Sequence, residues 1–305
     1  MQTHRQTRSD KITEHSLRIT HAERVIDPTS GITKGDLVQY YANVLPWILP
    51  HLRDRPVAMV RAPGGIAGTL FFQKHLEKIQ IPNLTRHVDW DKGHPPVLSI
   101  DSADALMAAV QMNVVELHTW NGVVGKIDKP DRVIFDLDPD PALPWQRMRD
   151  AATLVRALLE EIGLQGFLKT SGGKGLHIVV PLQKTADWEV VFEFSKAVAE
   201  HLAHILPRQF SAKMGAQNRV DKIFVDYLRN HRGATSVSAY SARTRPGMGV
   251  SAPVTWDELK ELQKGDEWTV ETLPGRLARL EADPWADYGK VKQKLTAGMI
   301  KKLGE

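Results

Sequence analysis

Two carboxylates two residues apart, Asp136 and Asp138, close the apolar run Val133-Ile134-Phe135. Alternate side chains of a β-strand share a face, so both point the same way. Like charges on one face repel unless a cation sits between them, and oxygen-only ligands suit Mg²⁺ or Mn²⁺. Further along stands Ser171-Gly172-Gly173-Lys174-Gly175-Leu176-His177. It offers glycine backbone for close approach, a lysine charge, and Ser and His donors, which together suit a triphosphate. It is not a Walker A loop, because Gly-Lys-Ser/Thr does not occur at that spacing. His177 opens an apolar strand, and the alternative for it is a structural histidine satisfied within that strand. A third carboxylate, Asp226, lies inside Ile223-Phe224-Val225-Asp226-Tyr227, where an unpaired charge would be costly. Either Arg219 or Arg229 neutralises it, or it joins Asp136 and Asp138 around two metal ions. Such a pair of ions could activate a 3′-hydroxyl, bridge an α-phosphate and stabilise departing pyrophosphate. The chemistry indicated is metal-dependent nucleotidyl transfer.

The elements that must hold these groups can be read from periodicity and punctuation. Thr33 to His51 reads as a helix with Thr33 as N-cap and Asp36 three residues on, a near capping box. Residues 56–62 and 69–73 read as strands joined by the Gly64-Gly65 turn. In the second of these, core packing accounts for one ring of Phe71-Phe72. The other faces out, and beside Lys74 it could stack on a base. A helix is expected over 101–112 and strands over 114–118 and 133–138. His118 ends its strand and on its own is a structural residue as readily as a functional one. Asp140 falls on the Asp136/Asp138 alternation, but Pro139 and Pro141 break the strand and leave it at the rim. A helix is expected over 145–162, stopped by Gly163. Strands over 167–170 and 176–182 flank the Gly-rich turn, and a helix over 188–205 follows. Strands are expected over 223–228 and 235–241, then helices over 255–263, 270–281 and 291–303. Strands and helices mix without a regular βα period, so the fold class is α+β or mixed-sheet α/β. Residues 1–17 read as a flexible segment, 18–300 as one domain, and 254–305 as its helical accessory part.

The chain has 305 residues, 42% hydrophobic and 25% charged, enough for a sizeable core. There is no cysteine, which excludes disulfides, thiolate zinc sites and a cysteine nucleophile. No apolar run reaches the length of a membrane span and the N-terminus is polar, so a cytoplasmic, nucleoid-associated location is expected. Net charge is only +4, yet Arg208 to Arg245 holds eight Lys/Arg against two acids. Such a segment suits phosphates; the alternative is a solvated basic face.

The motifs Asp136-Leu137-Asp138, Ser171 to His177 and Phe224-Val225-Asp226 resemble those of the archaeo-eukaryotic primase superfamily. The stretches RVIDP, FFQKH, DLDPDPALPW, LKTSGGKGLHIVVPL, KIFVDYLRN and RGATSVSAYSARTRPG resemble, more closely still, the polymerase domain of bacterial LigD, the multifunctional DNA ligase of non-homologous end joining. The likeness runs from about residue 18 to 300. It implies a primase-polymerase fold, with a central mixed or antiparallel sheet holding the Asp residues, flanking helices and a second, smaller sheet. It implies that Asp136, Asp138 and Asp226 bind two Mn²⁺ or Mg²⁺ ions, and that Ser171, Lys174 and His177 hold the phosphates. His118, Arg229, Arg243 and Arg245 line the site, while Phe71 and Phe72 pack on template or nucleotide. A recessed DNA 5′-phosphate would be bound by basic residues near the N-terminus, with Lys11, Arg18, Arg24 and Lys34 as candidates. The implied activity adds ribonucleotides, in preference to deoxyribonucleotides, to DNA 3′ ends at gaps and breaks, with Ku and the ligase as partners. No Lys-x-Asp-Gly adenylation motif occurs, the nearest string being Lys126-Ile127-Asp128-Lys129. The chain is therefore expected to be a separate protein or one domain of a longer ligase. Two other readings remain: a non-catalytic DNA-end-binding module, and a phosphohydrolase using Asp136 and Asp138. The latter needs Thr or Val where Asp140 stands.

Overall fold

A computed structural model describes residues 19–75 and 80–304. The segment 1–17, with Lys11, and also Arg18, lies outside them. In chain order the elements are α1 (Lys34–Leu52), β1 (Val57–Arg61), β2 (Phe71–Gln73), β3 (Thr85–His87), β4 (Val97–Ser99), α2 (Ala103–Gln111), β5 (Val114–Thr119), β6 (Arg132–Pro139), α3 (Trp145–Glu161), β7 (Phe167–Thr170), β8 (Leu176–Pro181), α4 (Trp188–Ile205), β9 (Phe210–Ser211), β10 (Ile223–Asp226), β11 (Ser236–Val237), β12 (Pro253–Val254), α5 (Leu273–Leu277) and α6 (Ala297–Gly304). The class is α+β.

Helix α1 starts where its sequence says it should. The Thr33 side chain accepts from the Asp36 N–H, and the Asp36 carboxylate accepts from the Thr33 N–H. This reciprocal cap satisfies two donors that the first turn leaves open. Three sheets form: six strands ordered β12-β7-β8-β6-β10-β9, four ordered β11-β5-β1-β2, and the pair β3-β4. All pairings are antiparallel except β10 with β9.

The six-stranded sheet sorts its side chains by alternation. Val133, Phe135, Leu137, Leu176, Ile178, Val180, Ile223 and Val225 join one buried core with Met148, Val155 and Leu159 of α3 and Phe194 and Val198 of α4. The intervening positions face the other way. There Ile134, Phe167 and Val179 enter a second core with α1, α2 and the four-stranded sheet, and the polar members of the same rows are left for a cleft between the sheets.

Several expected elements are shorter than their sequence pattern. The strand expected over 223–228 stops at Asp226, whose Oδ1 accepts the Leu228 N–H at 2.8 Å and turns the chain into a 3₁₀ segment, Leu228–Asn230. The strand expected over 235–241 keeps only Ser236–Val237, because Tyr240 takes φ +64° and donates its N–H to Ser251, beside the other sheet. Among the described residues of the C-terminal part only Leu273–Leu277 and Ala297–Gly304 are α-helical, and Glu258–Lys260 makes a single 3₁₀ turn. Its apolar residues are spent singly: Leu273 and Trp285 enter one core and Leu259 and Leu303 the other. Long amphipathic helices are not needed for that. Phe71 and Phe72 are both about half exposed, at 51% and 54%, so neither packs in the core. Strand β2 is an edge strand of its sheet, which leaves both rings uncovered.

His51 at the end of α1 packs between Tyr240, Trp285 and Tyr288, with ring centroids at 6.0, 5.5 and 6.0 Å. Burial, then the charges of Arg132, Arg55 and Lys169, pull its pKa down to about 3. The unfolded chain takes up a proton near pH 6.5 that the folded chain refuses, so stability is lost as pH falls below about 6.5. Part of the residue meets solvent, so we expect about 1 kcal/mol lost between pH 7.5 and 5.5 from this group. Urea unfolding of His51→Gln at the two pH values should show that loss missing; an unchanged pH difference would assign the acid sensitivity elsewhere.

Candidate nucleotidyl-transfer site

The cleft face of the six-stranded sheet carries a row of polar groups in register. Asp226 on β10 stands directly opposite Asp136 on β6. On the other side of Asp136 stands His177 of β8, and opposite His177 stands Lys169 of β7. Asp138 follows Asp136 on the same face, and the buried Leu137 between them confirms the alternation. One row thus runs Asp226, Asp136, His177, Lys169.

The electrostatics of this row are strained on the carboxylate side. Burial, then the nearby charges of Asp226 and Asp138, push Asp136 up to about 7. Its side chain still keeps 25% exposure, opening onto the cleft. Burial raises Asp226 as well, with Arg229 working against it at 3.3 Å. Asp138 is turned onto the Arg219 guanidinium. Both arginines weighed for Asp226 are therefore engaged with carboxylates of the cluster, but with different ones. Among the described residues, no three His, Asp or Glu side chains already stand at metal-ligand spacing. The donor set is nonetheless of the right kind: three carboxylates on one face, two of them with proton affinity raised by burial and mutual repulsion, which bound cations relieve.

The histidine side is held by a lysine that sequence reading missed. Lys169 is fully buried and its Nζ lies 3.1 Å from His177 Nδ1, 3.1 Å from the Val237 carbonyl and 2.6 Å from Ser251 Oγ. Burial, then the charges of Lys169 and Arg243, hold His177 well below the usual histidine range, so its ring is neutral. With Nδ1 facing the lysine, Nε2 points at Asp136, 3.4 Å away.

The Gly-rich turn sits against the same strand. A side chain at Gly175 would place its Cβ 2.1 Å from the Leu137 carbonyl, and Gly172 takes φ +67° with backbone 2.8 Å from any Cβ. Only glycine lets the turn approach the Asp136-Asp138 segment this closely. Ser171 Oγ accepts from the Gly173 and Gly175 N–H groups at 3.1 and 3.0 Å, which shapes the turn from inside. Arg243 donates to the Ser171 carbonyl at 2.8 Å. Arg245 lies over Gly173, where a Cβ would come within 3.3 Å of its Nε. Lys174 is exposed at the tip.

The opposite wall comes from the four-stranded sheet. His118 Nε2 is 2.7 Å from Glu116, which also meets Arg243 at 3.2 Å and accepts from Thr244 N and Oγ1 at 2.6 Å. Burial opposes ionisation of Glu116, but the His118 hydrogen bond and the Arg243 charge outweigh it and hold the carboxyl well below its usual range. Glu116 thereby fixes both a histidine and an arginine of the site; its place two residues before His118 on a strand was the available signal. The Phe72 ring meets His118 edge-on at 6.0 Å, with Lys74 above it at 5.8 Å.

Of the basic segment, Arg219, Arg229 and Arg243 pair with carboxylates of the site, and Arg232 pairs with Asp91 and Asp128 elsewhere. It is more than a solvated face. Arg24 and Lys34 make a separate basic pair at the start of α1: Arg24 donates to Asn113 Oδ1 and Lys34 to the Thr20 carbonyl at 2.9 Å. Burial, then the charge of Arg24, lowers the Lys34 pKa. Among the described residues neither cation pairs with a carboxylate, and two such cations suit an anion.

A family model described as LigD, primase-polymerase domain, matches residues 33–285. The chain is 50% identical over 290 residues to the multifunctional non-homologous end joining protein LigD of Pseudomonas aeruginosa, covering 94% of this chain and 34% of that protein. It is 27% identical over 282 residues to the bifunctional non-homologous end joining protein LigD of Bacillus subtilis, covering 92% and 45%. The chain thus spans less than half the length of these relatives. Among solved structures, the polymerase domain of Mycobacterium tuberculosis ligase D in complex with DNA superposes with a TM-score of 0.80 at 31% identity, covering 89% of this chain and 97% of that one.

Proposed function

Because the chain belongs to the LigD primase-polymerase domain family, we propose that it is a template-dependent nucleotidyltransferase extending DNA 3′ ends at gaps and double-strand breaks. The observation that carries this reading is the in-register pairing of Asp226 with Asp136, with Asp138 beside them and His177 next in the row. Asp136, Asp138 and Asp226 would hold two Mn²⁺ or Mg²⁺ ions, which when bound supply an activated 3′-oxygen and neutralise charge on the reacting phosphates.

The chain's own residues do the positioning. His177, with Nε2–H aimed into the cleft, and Lys174, Arg229, Arg243 and Arg245 hold the triphosphate, while Ser171 braces from inside the turn that carries Lys174. His118, fixed by Glu116, completes the nucleotide pocket, and Phe72 offers a ring for stacking. Charge neutralisation and orientation of this kind provide most of the acceleration in phosphoryl transfer. Arg219 occupies Asp138 in this structure; substrate binding would have to turn it away.

Arg24 and Lys34 are the described residues best placed to take the 5′-phosphate across a gap, and the resemblance supports a preference for ribonucleotides. The action would be on the bacterial chromosome, with Ku and a ligase as partners. Among the described residues no helix is long and apolar enough to cross a membrane.

The test is extension of a gapped duplex carrying a 5′-phosphate on the far side of the gap. NTPs and dNTPs would be compared in Mn²⁺, beside the Asp136→Ala/Asp138→Ala protein. Addition by the wild type alone, faster with NTPs, is expected. Binding that needs the 5′-phosphate, without any addition, would instead favour a non-catalytic end-binding module.

A further inference from the structure

A second cavity of about 290 Å³ lies between the loop that begins at Trp90 and one end of the four-stranded sheet. The catalytic row is not part of its lining. Trp90, Trp120, Ala58, Lys74, His94 and Arg232 give it its character. Its aromatic wall is held in place from behind. Trp90 donates Nε1–H to the Pro95 carbonyl at 2.8 Å. Trp120 meets Trp90 edge-on at 5.5 Å and in turn rests on Trp188 at 6.2 Å. The Arg232 guanidinium lies 5.2 Å over the Trp90 ring and is pinned by Asp91 at 2.6 Å and Asp128 at 2.9 Å.

This lining has a definite chemistry. The two carboxylates on Arg232 cancel its charge, so the cavity is not built for a phosphate. Fixed indole surfaces with Lys74 at the rim, in a space too small for a peptide helix, suit one flat heteroaromatic ring. The cavity also adjoins the proposed polymerase site. Ala58 is the cross-strand partner of His118, and Lys74 stands over the Phe72 ring that contacts His118.

We propose that this cavity receives a single unpaired nucleobase from the nucleic-acid strand that lies across Phe72. The proposal rests on the reading that this cleft binds gapped or broken DNA. The cavity would let the protein hold an end whose strands do not match fully, by lodging the unmatched base instead of leaving it in water. Stacking of one base on an aromatic side chain contributes enough to change affinity about tenfold.

The test uses the full chain, at one fixed salt concentration because phosphate contacts are salt-sensitive. Binding is measured by anisotropy to three gapped duplexes with the same 5′-phosphate: fully matched, with one extra unpaired 2-aminopurine in the template beside the gap, and with an abasic residue at that position. The wild type should bind the unpaired base about tenfold more tightly than the abasic control, and 2-aminopurine emission should be quenched in the saturated complex. Trp90→Ala should lose both differences and Trp90→Phe should keep most of each, while both variants bind the matched duplex as before. Equal affinity for the unpaired-base and abasic duplexes in the wild type would overturn the proposal, and that comparison needs no variant to fold. Failure to bind any duplex would overturn the polymerase reading instead.

Discussion

Asp136→Asn and Asp138→Asn should each slow 3′-end extension by at least about a hundredfold while leaving affinity for a gapped duplex within about twofold. Both side chains face the cleft, and neither anchors a buried backbone group, so neither change opens a cavity. The register pair Asp136–Asp226 adds a reading that activity alone cannot give. With chelator present, Asp136 faces Asp226 and Asp138 across a partly dry cleft, and the repulsion opposes folding. Asp136→Asn, which removes the charge of the three that no arginine pairs with, should raise the thermal midpoint by a few degrees in chelator. Added Mn²⁺ should then stabilise the wild type and not the variant, since a ligand that binds only the folded state raises its stability. Asp226 is a poorer choice for this experiment because its carboxylate also terminates β10 through the Leu228 N–H. Extension retained above a tenth of the wild-type rate in either variant would remove that carboxylate from the reacting centre.

Lys169→Met should lower extension by about ten- to a hundredfold through His177, without lysine ever touching substrate. Ser251 Oγ gives its own proton to the Thr170 carbonyl at 2.9 Å, so toward Lys169 it can only accept. The Val237 carbonyl also only accepts. The third N–H of the ammonium is then directed at His177 Nδ1, which leaves the ring proton on Nε2, facing Asp136. Burial lowers the Lys169 pKa well below the usual lysine range, with Asp136 opposing it and Arg132 and Arg243 adding to it, so this tautomer holds where the amine keeps its third proton. Methionine fills the channel but strands three acceptors, a cost of about 1–3 kcal/mol for each buried group left unpaired. Some loss of stability is therefore expected, and by itself it does not distinguish packing from positioning. The nitrogen shifts of His177 do: they should report the Nε2–H tautomer in the wild type and a mixture in Lys169→Met. A variant that keeps the wild-type tautomer and loses only stability would show the lysine to be a packing residue. The loss of rate should fall mainly in kcat, because the altered donor acts where charge develops.

Features written in the sequence are those set by neighbours a few residues away. The Asp136-Leu137-Asp138 alternation is a property of any strand, and it placed both carboxylates on one face. The Thr33–Asp36 cap spans one helical turn, and the Gly-rich turn shapes itself through Ser171 and the N–H groups of Gly173 and Gly175. The motif residues Asp136, Asp138, Asp226, Ser171 and His177 were legible on that basis and through the family they resemble, and the α+β class followed from mixed periods.

Tertiary structure decided the partners. Arg219 meets Asp138 across 81 positions, and Glu116 meets Thr244 across 128. Lys169 looked like any strand lysine until the second core closed over it. Phe71 and Phe72 carry a core-like pattern, but their strand fell at a sheet edge, and the C-terminal apolar residues were divided between two cores instead of forming the long helices their spacing suggested. Local sequence sets side-chain direction and chain reversal. Which strands become neighbours depends on burying two large apolar faces at once, so it is a property of the whole chain, and it is this that brings Asp226, Asp136, His177 and Lys169 into one row.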